Sequence, residues 1–441
     1  MTRGRVLAAC ARVLVLAMLI LDASRAVLAQ GLTPVPGATP GDSLTISVMT
    51  IGAGDEVWER FGHNALVVRD GRTGEAVAYN WGMFDFNQPN FLGRFLVGNT
   101  RYWMQGFDAG ALAEHYARVE NRSVEMQDLA LTPAQRAAVR DFVEWNAREE
   151  NRYYRYDYYR DNCSTRVRDV LDRVLGGGLR DALAGVPTGT TYRSHTRRLT
   201  DGDPATYTGI ELALGRPADV PLDAWEESFL PVRMMMHLRG VRVRGADGRA
   251  VPLVASERTV YAADRPPEPA GPPSHVVAYG AAGAVLALLF AVGAWLATQA
   301  GGIGRVVLGV SAGAWTLVLG FFGTALLLAG TVTKHAAYMG RNWNLLAANT
   351  LAWVVFVLVV AAMTARRPAR AARWRARAAG AAWALAAMTV LGAIVVLLPG
   401  VGQRSGELFA MFVPANVALA AAFAWVARAS AAASAISGTD A

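Results

Sequence analysis

Hydrophobic residues are concentrated in the C-terminal part of the chain, beyond residue 274. Five apolar segments follow one another there, and each approaches or exceeds the ~20 residues that a helix needs to cross a bilayer. They lie near residues 275–298, 306–332, 345–365, 379–399 and 408–427. This pattern predicts a bundle of about five transmembrane helices.

The pattern before residue 265 is that of a soluble domain. Residues 43–52 (SLTISVMTIG) alternate like a strand, and residues 63–81 (HNALVVRDGRTGEAVAYNW) read as two strands around an Asp-Gly turn. Residues 131–150 (LTPAQRAAVRDFVEWNAREE) form a polar helical stretch, with Thr132 as N-cap and Pro133 at the first helical position. The sequence therefore predicts an α+β fold with a small antiparallel sheet, followed by an all-α transmembrane bundle.

Two Pro/Gly-rich segments divide the chain into these parts. Residues 30–42 are one linker and residues 265–274 (RPPEPAGPPS) are the other, so the soluble domain is predicted over 43–264. The remaining predicted segments are a signal peptide or uncleaved anchor (1–29), a five-helix transmembrane domain (275–428) and a cytoplasmic tail (429–441).

Two independent features predict the same orientation in the membrane. The connector ARRPARAARWRAR holds six arginines and no acid, and short loops this basic stay in the cytoplasm. When the predicted helices are counted back from this connector, the 333–344 loop faces outward and residues 30–273 lie outside the cytoplasm. The first 29 residues combine Arg3, Arg5 and Arg12 with an apolar run and a small-residue exit, as in a secretory signal. We therefore expect a multi-pass protein of the cell inner membrane with its soluble domain in the periplasm.

The charge distribution argues against nucleic-acid binding. The formal net charge of the whole chain is +8, but residues 30–273 carry 28 Lys and Arg against 32 Asp and Glu. The positive excess therefore lies in the leader and in the membrane domain. The soluble domain lacks the basic surface that a nucleic-acid partner requires.

One cysteine, Cys163, lies beyond the leader, so it has no internal disulfide partner. It falls in DNCSTRVRDVLDRVL, a predicted helix with Asp161 or Asn162 as N-cap and apolar Val167, Val170, Leu171 and Val174 on one face. A thiol at a helix N-terminus, especially beside an imidazole, ionises more readily than a free thiol. Cys163 is therefore a candidate nucleophile; the alternative is a small buried packing residue.

His63, at the entrance of the first hairpin strand, is the predicted base for this thiol. Folding the hairpin about residues 70–74 brings positions near 79–81 opposite His63, so Asn80 or Tyr79 is expected to orient the imidazole. The alternative is a structural histidine. His115, His195 and His237 show no partner in the sequence, and no motif indicates a metal, a phosphate loop or a serine nucleophile.

At this point the motifs resemble a known family. Gly62-His63 opening a hairpin and Asn162-Cys163 opening a helix look like circularly permuted NlpC/papain-type thiol enzymes, including lecithin:retinol acyltransferase. More closely, FGHNALVV, YNWGMFDF, the aromatic run ending in DNCST and the C-terminal bundle resemble the Lnb-type lipoprotein N-acyltransferases. The resemblance covers the soluble domain well and the bundle more loosely.

The resemblance implies a two-step acyl transfer without a cofactor. Cys163 would take an acyl chain from a phospholipid as a thioester, with His63 as base and then acid and Asn80 as orienting residue. The N-terminal amine of a diacylated lipoprotein would then accept the chain. We expect substrate contacts from residues beside these positions and on the outward loop: Tyr79, Trp81, Asn162, His335, Asn342 and Asn344.

Residues 90–104 (NFLGRFLVGNTRYWM) interleave aromatic and arginine residues, as at a lipid interface, although an ordinary amphipathic core helix would show the same pattern. Asn349 and Asn416 lie within predicted spans, where buried amides usually join neighbouring helices. Two other functions stay open at this stage. One is a membrane-anchored periplasmic cysteine amidase or peptidase of the NlpC type, and the other is a domain that binds a partner without catalysis.

Overall fold

The computed structural model describes residues 39–245, 247–299 and 302–437. The predicted leader and most of the 30–42 linker lie outside the described residues. The elements of the soluble domain are β1 (Leu44–Ile51), β2 (His63–Asp70), β3 (Ala76–Met83), α1 (Phe91–Leu96), β4 (Arg101–Asp108), α2 (Ala109–Arg118), β5 (Val124–Leu129), α3 (Pro133–Ala147), β6 (Tyr153–Arg155), α4 (Cys163–Val174), α5 (Gly178–Leu183), β7 (Pro187–Thr191), α6 (Tyr192–Thr200), α7 (Pro204–Ala213), β8 (Pro221–Asp223), α8 (Ala224–Glu227), α9 (Pro231–Leu238), β9 (Arg242–Arg244), β10 (Ala250–Pro252) and β11 (Val254–Tyr261). The membrane half contains α10 (Val276–Gln299), α11 (Gly302–Thr331), α12 (Ala336–Met339), α13 (Leu351–Thr364), α14 (Pro368–Leu397) and α15 (Phe409–Ser437).

A seven-stranded antiparallel sheet forms the centre of the soluble domain, in the order β11-β5-β1-β2-β3-β4-β6. The predicted hairpin is present, with β2 and β3 paired so that Ala65 lies opposite Asn80. Its turn is closed at Asp70, whose carboxylate accepts the backbone N–H of Arg72. The α+β prediction is confirmed, and the sheet is larger than the sequence indicated because short strands such as β6 carry little pattern of their own.

Helices cover both faces of this sheet because the strands alternate their side chains between two cores. On one face, Leu44, Ile46 and Val48 pack with the buried residues of α3 and α4. On the other face, Met49 and Ile51 pack with the alanines of α2. The helix α4 that begins at Cys163 is therefore fixed against the sheet that carries His63.

The two helices predicted beside the sheet begin where their capping residues require. Thr132 caps α3 in a reciprocal capping box with Gln135, and Pro133 occupies the first helical turn, as predicted. Asn162 is the N-cap of α4, which resolves the choice between Asp161 and Asn162. Cys163 is consequently the first residue of α4.

A buried ion cluster holds together the helical segment after β7. The side chain of Arg193 is 1% exposed and contacts Glu211 at 3.0 Å and Asp219 at 2.9 Å. The same guanidinium donates to the carbonyl of Leu214 at 2.7 Å. Because every charge has a partner, the desolvation cost of the cluster is offset.

The predicted membrane bundle is present among the described residues. Five helices are long and apolar enough to cross a membrane, over Val276–Gln299, Gly302–Thr331, Trp343–Thr364, Pro368–Leu397 and Gly406–Ala432. Asn416 joins neighbouring helices as predicted, since it accepts from the indole of Trp315 and donates to Thr389, both at 2.8 Å. Asn349 instead contacts its own segment, at Leu346 and Leu351.

The fourth membrane helix begins earlier than predicted. Its apolar run starts near residue 379, but α14 starts at Pro368, so most of the basic connector is helical. Alanine and arginine are both strong helix formers, and proline is tolerated in the first turn. The break between α13 and α14 therefore reduces to residues 365–367.

The outward loop between α11 and α13 is hydrogen-bonded to the soluble domain. Gly215 donates its backbone N–H to the carbonyl of Tyr338 at 2.8 Å, and the Tyr338 hydroxyl donates to Asp157 at 2.7 Å. Elsewhere, Glu407 of the membrane half pairs with Arg197 of α6 at 2.7 Å. These contacts attach the soluble domain to the outer end of the bundle.

Candidate active site

The N-terminus of α4 positions Cys163. The side-chain oxygen of Asn162 accepts the backbone N–H groups of Ser164 and Thr165, and its amide nitrogen donates to the carbonyls of Tyr158 and Phe229. Asn162 is thus fixed by four protein contacts, and the thiol that follows it is 7% exposed. The sulfur lies at the N-terminus of a helix, where the helix dipole favours a negative charge.

His63 is held against Cys163 by an amide from the neighbouring strand. The imidazole Nε2 lies 2.9 Å from Oδ1 of Asn80, and the Asn80 nitrogen donates to the carbonyl of Ala78 at 3.0 Å. That second bond aims Oδ1 at the ring, so Nε2 carries the hydrogen and Nδ1 is left for the thiol. The imidazole of His63 and the thiol of Cys163 lie close enough for each to shift the pKa of the other.

The electrostatics of the pair favour charge separation. Burial disfavours the thiolate, but His63 and the backbone N–H groups of Asn64 and Ser164 outweigh it, so the pKa of Cys163 is lowered. Burial also disfavours the imidazolium, but the cysteine and the bond to Asn80 outweigh it, so the pKa of His63 is raised. Both shifts favour the thiolate–imidazolium form of the pair over its neutral form.

Asn64 is a further site residue that sequence reasoning missed. Its side chain is fully buried and donates to the hydroxyl of Ser164 at 3.0 Å, and Ser164 in turn donates to the carbonyl of Ser228 at 2.7 Å. The contact ties β2 to α4 directly beside the reactive pair. Its sequence signal is only its place between His63 and the apolar strand.

The wall beside the thiol is formed by Gly82 and two tyrosines. Gly82 has φ +92°, and a Cβ added there would lie 3.7 Å from Cβ of Cys163 and 3.4 Å from the Tyr156 ring. The same point is 3.9 Å from the hydroxyl of Tyr154. Glycine therefore leaves a space of about the size of one methyl group between Cys163 and the aromatic wall.

Residues 36–198 match the family model described as the Lnb N-terminal periplasmic domain. The chain carries an Lnb-type periplasmic domain. The match includes His63, Asn80 and Cys163, and it confirms the predicted family. Comparison with curated proteins and with solved structures gives no significant match. Together with the five apolar helices, the match makes the chain a membrane-anchored protein with a periplasmic domain, associated with Lnb-type lipoprotein processing.

The other histidines of the Lnb-type domain do have partners, contrary to the expectation from the sequence. Glu227 accepts from His195 at 2.8 Å and from His237 at 2.7 Å, while His115 contacts Glu120 at 3.0 Å. The sequence could not show the first contact because 32 residues separate His195 from Glu227. These contacts indicate a structural role for the three histidines.

The three predicted substrate-binding residues beside Cys163, His63 and Asn80 are buried. Trp81 is 1% exposed, and its indole N–H donates to Asn146 at 2.8 Å within the core. Tyr79 also belongs to this core, and the Asn162 amide is fully engaged in capping α4. The role of Tyr79, Trp81 and Asn162 in substrate binding stays a prediction.

The predicted loop residues lie at the junction between the Lnb-type domain and the bundle. Asn342 and Asn344 both donate to the carbonyl of Leu212 at 2.9 Å. His335 contacts the Tyr158 hydroxyl through Nδ1 at 3.0 Å and the Phe95 carbonyl through Nε2 at 2.9 Å. Their side chains join the two halves of the chain; contact with substrate stays a prediction.

The segment with interleaved aromatic residues is not a core helix. No residue of α1 (Phe91–Leu96) is buried, and Leu92 and Leu96 are 67% and 61% exposed. Of the two interpretations of this segment, the amphipathic core helix is therefore wrong.

Proposed function

We propose that this protein is a lipoprotein N-acyltransferase of the cell inner membrane. It would move an acyl chain from a phospholipid, through a thioester on Cys163, to the N-terminal amine of a diacylglyceryl-cysteine lipoprotein. The observation that carries the proposal is the Cys163–His63–Asn80 arrangement within an Lnb-type domain fixed to the outer end of a membrane bundle.

In the first step the thiolate attacks the carbonyl carbon of a phospholipid ester. A carbon–sulfur bond forms, the carbon–oxygen bond to the glycerol breaks, and His63 gives its proton to the departing alcohol. The raised pKa of His63 favours the protonated ring that this step requires. The products are a thioester on Cys163 and a lysophospholipid.

In the second step the free amine of the lipoprotein attacks the thioester carbonyl. A carbon–nitrogen bond forms, the carbon–sulfur bond breaks, and His63 accepts the proton that the amine loses. The sum of the two steps converts an ester and an amine into an amide and an alcohol. A thioester retains enough reactivity for this exchange, so no nucleotide is consumed.

The surroundings of the cysteine favour a lipid donor over a peptide substrate. Tyr156, which contacts the open space beside Cys163, also lines a cavity whose other walls include Lys334 and His335 of the outward loop. One aromatic ring therefore separates the nucleophile from the membrane half of the chain. A peptidoglycan amidase would not require its nucleophile to lie next to the membrane half of the chain.

The test is intact-mass and peptide mass spectrometry of the full chain after incubation in vesicles of phosphatidylethanolamine and phosphatidylglycerol. We expect an acyl-sized adduct on the peptide containing Cys163, removed by hydroxylamine and by a diacylated lipopeptide, which becomes triacylated. Cys163→Ala should carry no adduct, and His63→Gln should form it far more slowly. If the wild type forms no adduct under turnover but cleaves peptides, the amidase alternative replaces the proposal.

A further inference from the structure

The helix α1 exposes more apolar surface than a water-facing helix should. Leu92, Phe95 and Leu96 of this helix and Val97 directly after it are between 47% and 67% exposed, and they lie within six consecutive residues. Contiguous apolar patches on soluble surfaces mark contacts with a partner or a membrane. Arg94, the basic residue of this helix, lies among them, as is typical of an interfacial segment.

Contacts of α1 with the membrane half identify the partner. Lys334 donates its backbone N–H to the carbonyl of Val97 at 3.0 Å, and His335 contacts the carbonyl of Phe95 at 2.9 Å. The transmembrane helix α11 ends at Thr331, three residues before Lys334. Since the end of this helix lies at the membrane surface, α1 lies at the periplasmic boundary of the bilayer. The neighbouring Val332 is 75% exposed and continues the apolar surface.

A file of aromatic rings connects this patch to the nucleophile. Ring centroids are 6.3 Å apart between Phe95 and Phe91, and 6.3 Å between Phe91 and Phe84. The file continues from Phe84 to Tyr102 at 5.1 Å and from Tyr102 to Tyr156 at 4.4 Å. Tyr156 borders the open space at Gly82 beside Cys163. An apolar chain leaving the bilayer at α1 would meet aromatic surface along the whole path.

We propose that residues 84–97, with α1 inserted in the periplasmic leaflet, form the access route by which the donor acyl chain reaches Cys163. The insertion of α1 stands on its own contacts, whereas the route for the acyl chain rests on the proposed function. The lipid surface is the occupant because α1 is bonded to the end of a transmembrane helix.

Insertion is tested with nitroxide spin labels on the full chain in vesicles, in a background where Cys10 and Cys163 are alanine. A label at Leu96→Cys is expected to be more accessible to oxygen than to a water-soluble nickel complex. The control is Thr73→Cys, on the exposed β2–β3 turn at the opposite end of β3 from Phe84, about 25 Å away along the eight-residue strand. Equal nickel accessibility at the two sites would overturn the insertion of α1.

The access route is tested with the double variant Leu92→Gln and Leu96→Gln. We expect thioester formation from long-chain phospholipid to fall at least tenfold, while alkylation of Cys163 by iodoacetamide keeps its wild-type rate. The matched control is Val119→Gln, which changes a 73%-exposed apolar residue at the end of α2. Unchanged acylation in the double variant would overturn the route. If the wild type forms no thioester, the proposed function fails, while the spin-label result still decides the insertion.

A second inference comes from an unpartnered hydroxyl. The oxygen of Tyr154 is buried, and it has no hydrogen-bond partner within the described part of the chain. It faces the same open space at Gly82 as Cys163 does, and the guanidinium of Arg166 lies 4.2 Å over its ring. An unpaired buried donor is costly for stability, so this hydroxyl requires a partner that the described residues do not supply.

We infer that the Tyr154 hydroxyl donates to the oxyanion that forms when Cys163 attacks an ester carbonyl. The negative charge of that oxygen would give the hydroxyl the partner it lacks in the free protein. Burial raises the pKa of Tyr154 well above its ordinary value, so the hydroxyl keeps the proton to be donated. The role rests on acyl chemistry at Cys163.

Tyr154→Phe separates this role from a structural one. Loss of an oxyanion donor is expected to slow thioester formation about a hundredfold, with alkylation of Cys163 unchanged. Thermal stability should not fall, because the removed hydroxyl has no partner. Tyr159→Phe is the control, since its hydroxyl contacts Thr196 at 2.7 Å and its loss should affect stability rather than acylation. If Tyr154→Phe forms the thioester at a rate within threefold of the wild type, Tyr154 is not the oxyanion donor. If the wild type itself forms no thioester, the proposed acyl transfer fails, and the role of Tyr154 fails with it.

Discussion

Replacing Asn80 with alanine tests whether this amide holds the His63 imidazole in a reactive orientation. The variant removes the 2.9 Å contact to Nε2 and leaves the carbonyl of Ala78 without its side-chain donor. A hydrogen bond to a charged group contributes roughly 1.5–3 kcal/mol, and the corresponding neutral bond about half as much. The imidazolium therefore loses about 1 kcal/mol more than the neutral ring does.

This difference predicts a specific change in the pH dependence of acylation. About 1 kcal/mol corresponds to roughly fivefold in the equilibrium between the protonated and neutral rings. The pKa of His63, which the structure raises, should therefore fall, and the alkaline limb of the rate profile should move to lower pH. The rate at the optimum should also fall about tenfold or more, because the ring is no longer held toward the thiol.

The assay is the initial rate of thioester formation on Cys163, followed by mass spectrometry across a pH series. Asn146→Ala is a matched control because Asn146 also accepts from a ring N–H, that of Trp81, and also donates to a carbonyl, that of Asn151, both at 2.8 Å. The two variants should lose similar thermal stability. If Asn80→Ala keeps the wild-type alkaline limb and rate, Asn80 is a structural residue and the reasoning is refuted.

Two further predictions concern the space beside the thiol and the buried ion cluster. Gly82→Ala adds a methyl group at a residue with φ +92°, which costs about 1–2 kcal/mol of stability, and this group lies 3.4 Å from the Tyr156 ring. We expect the rate of acylation to fall at least tenfold, while thermal unfolding shows that the variant is folded. Acylation at the wild-type rate would contradict this prediction. Arg193→Ala leaves the buried carboxylates of Glu211 and Asp219 without their cation, so the free energy of unfolding should fall by about 3–5 kcal/mol. Because Arg72 forms an exposed ion pair with Asp70, Arg72→Ala should lower the free energy of unfolding by less than about 1 kcal/mol. Equal melting temperatures for the two arginine variants would contradict this comparison.

Local patterns allowed much of the fold to be predicted from the sequence. The hairpin around residues 70–74, the cap at Thr132 and the apolar spans depend on neighbouring residues, so each is visible in a short window. Topology could also be inferred, since it depends on the position of six arginines. By contrast, the start of α14 at Pro368 was missed because hydropathy marks the apolar run rather than the helix that precedes it.

Only those residues of the candidate site could be predicted that follow from thiol chemistry or from the register of one hairpin. Cys163, His63 and Asn80 could be named because a thiol needs a base and a base needs an orienting group. The contact of Asn64 with Ser164 spans 100 residues, so no local pattern shows it. The same holds for Gly82, whose position beside the thiol depends on how α4 packs on the sheet.

The hydrogen bonds between the outward loop and the soluble domain fix the position of Cys163 relative to the outer end of the bundle. A catalytic head on a long flexible tether would sweep through the surrounding space and could meet targets far from the lipid. Here Asn342, Asn344 and the backbone of Gly215 remove that freedom. Under the proposed function, the encounter of Cys163 with its substrates becomes a two-dimensional search, in which molecules anchored in the same leaflet arrive by lateral diffusion.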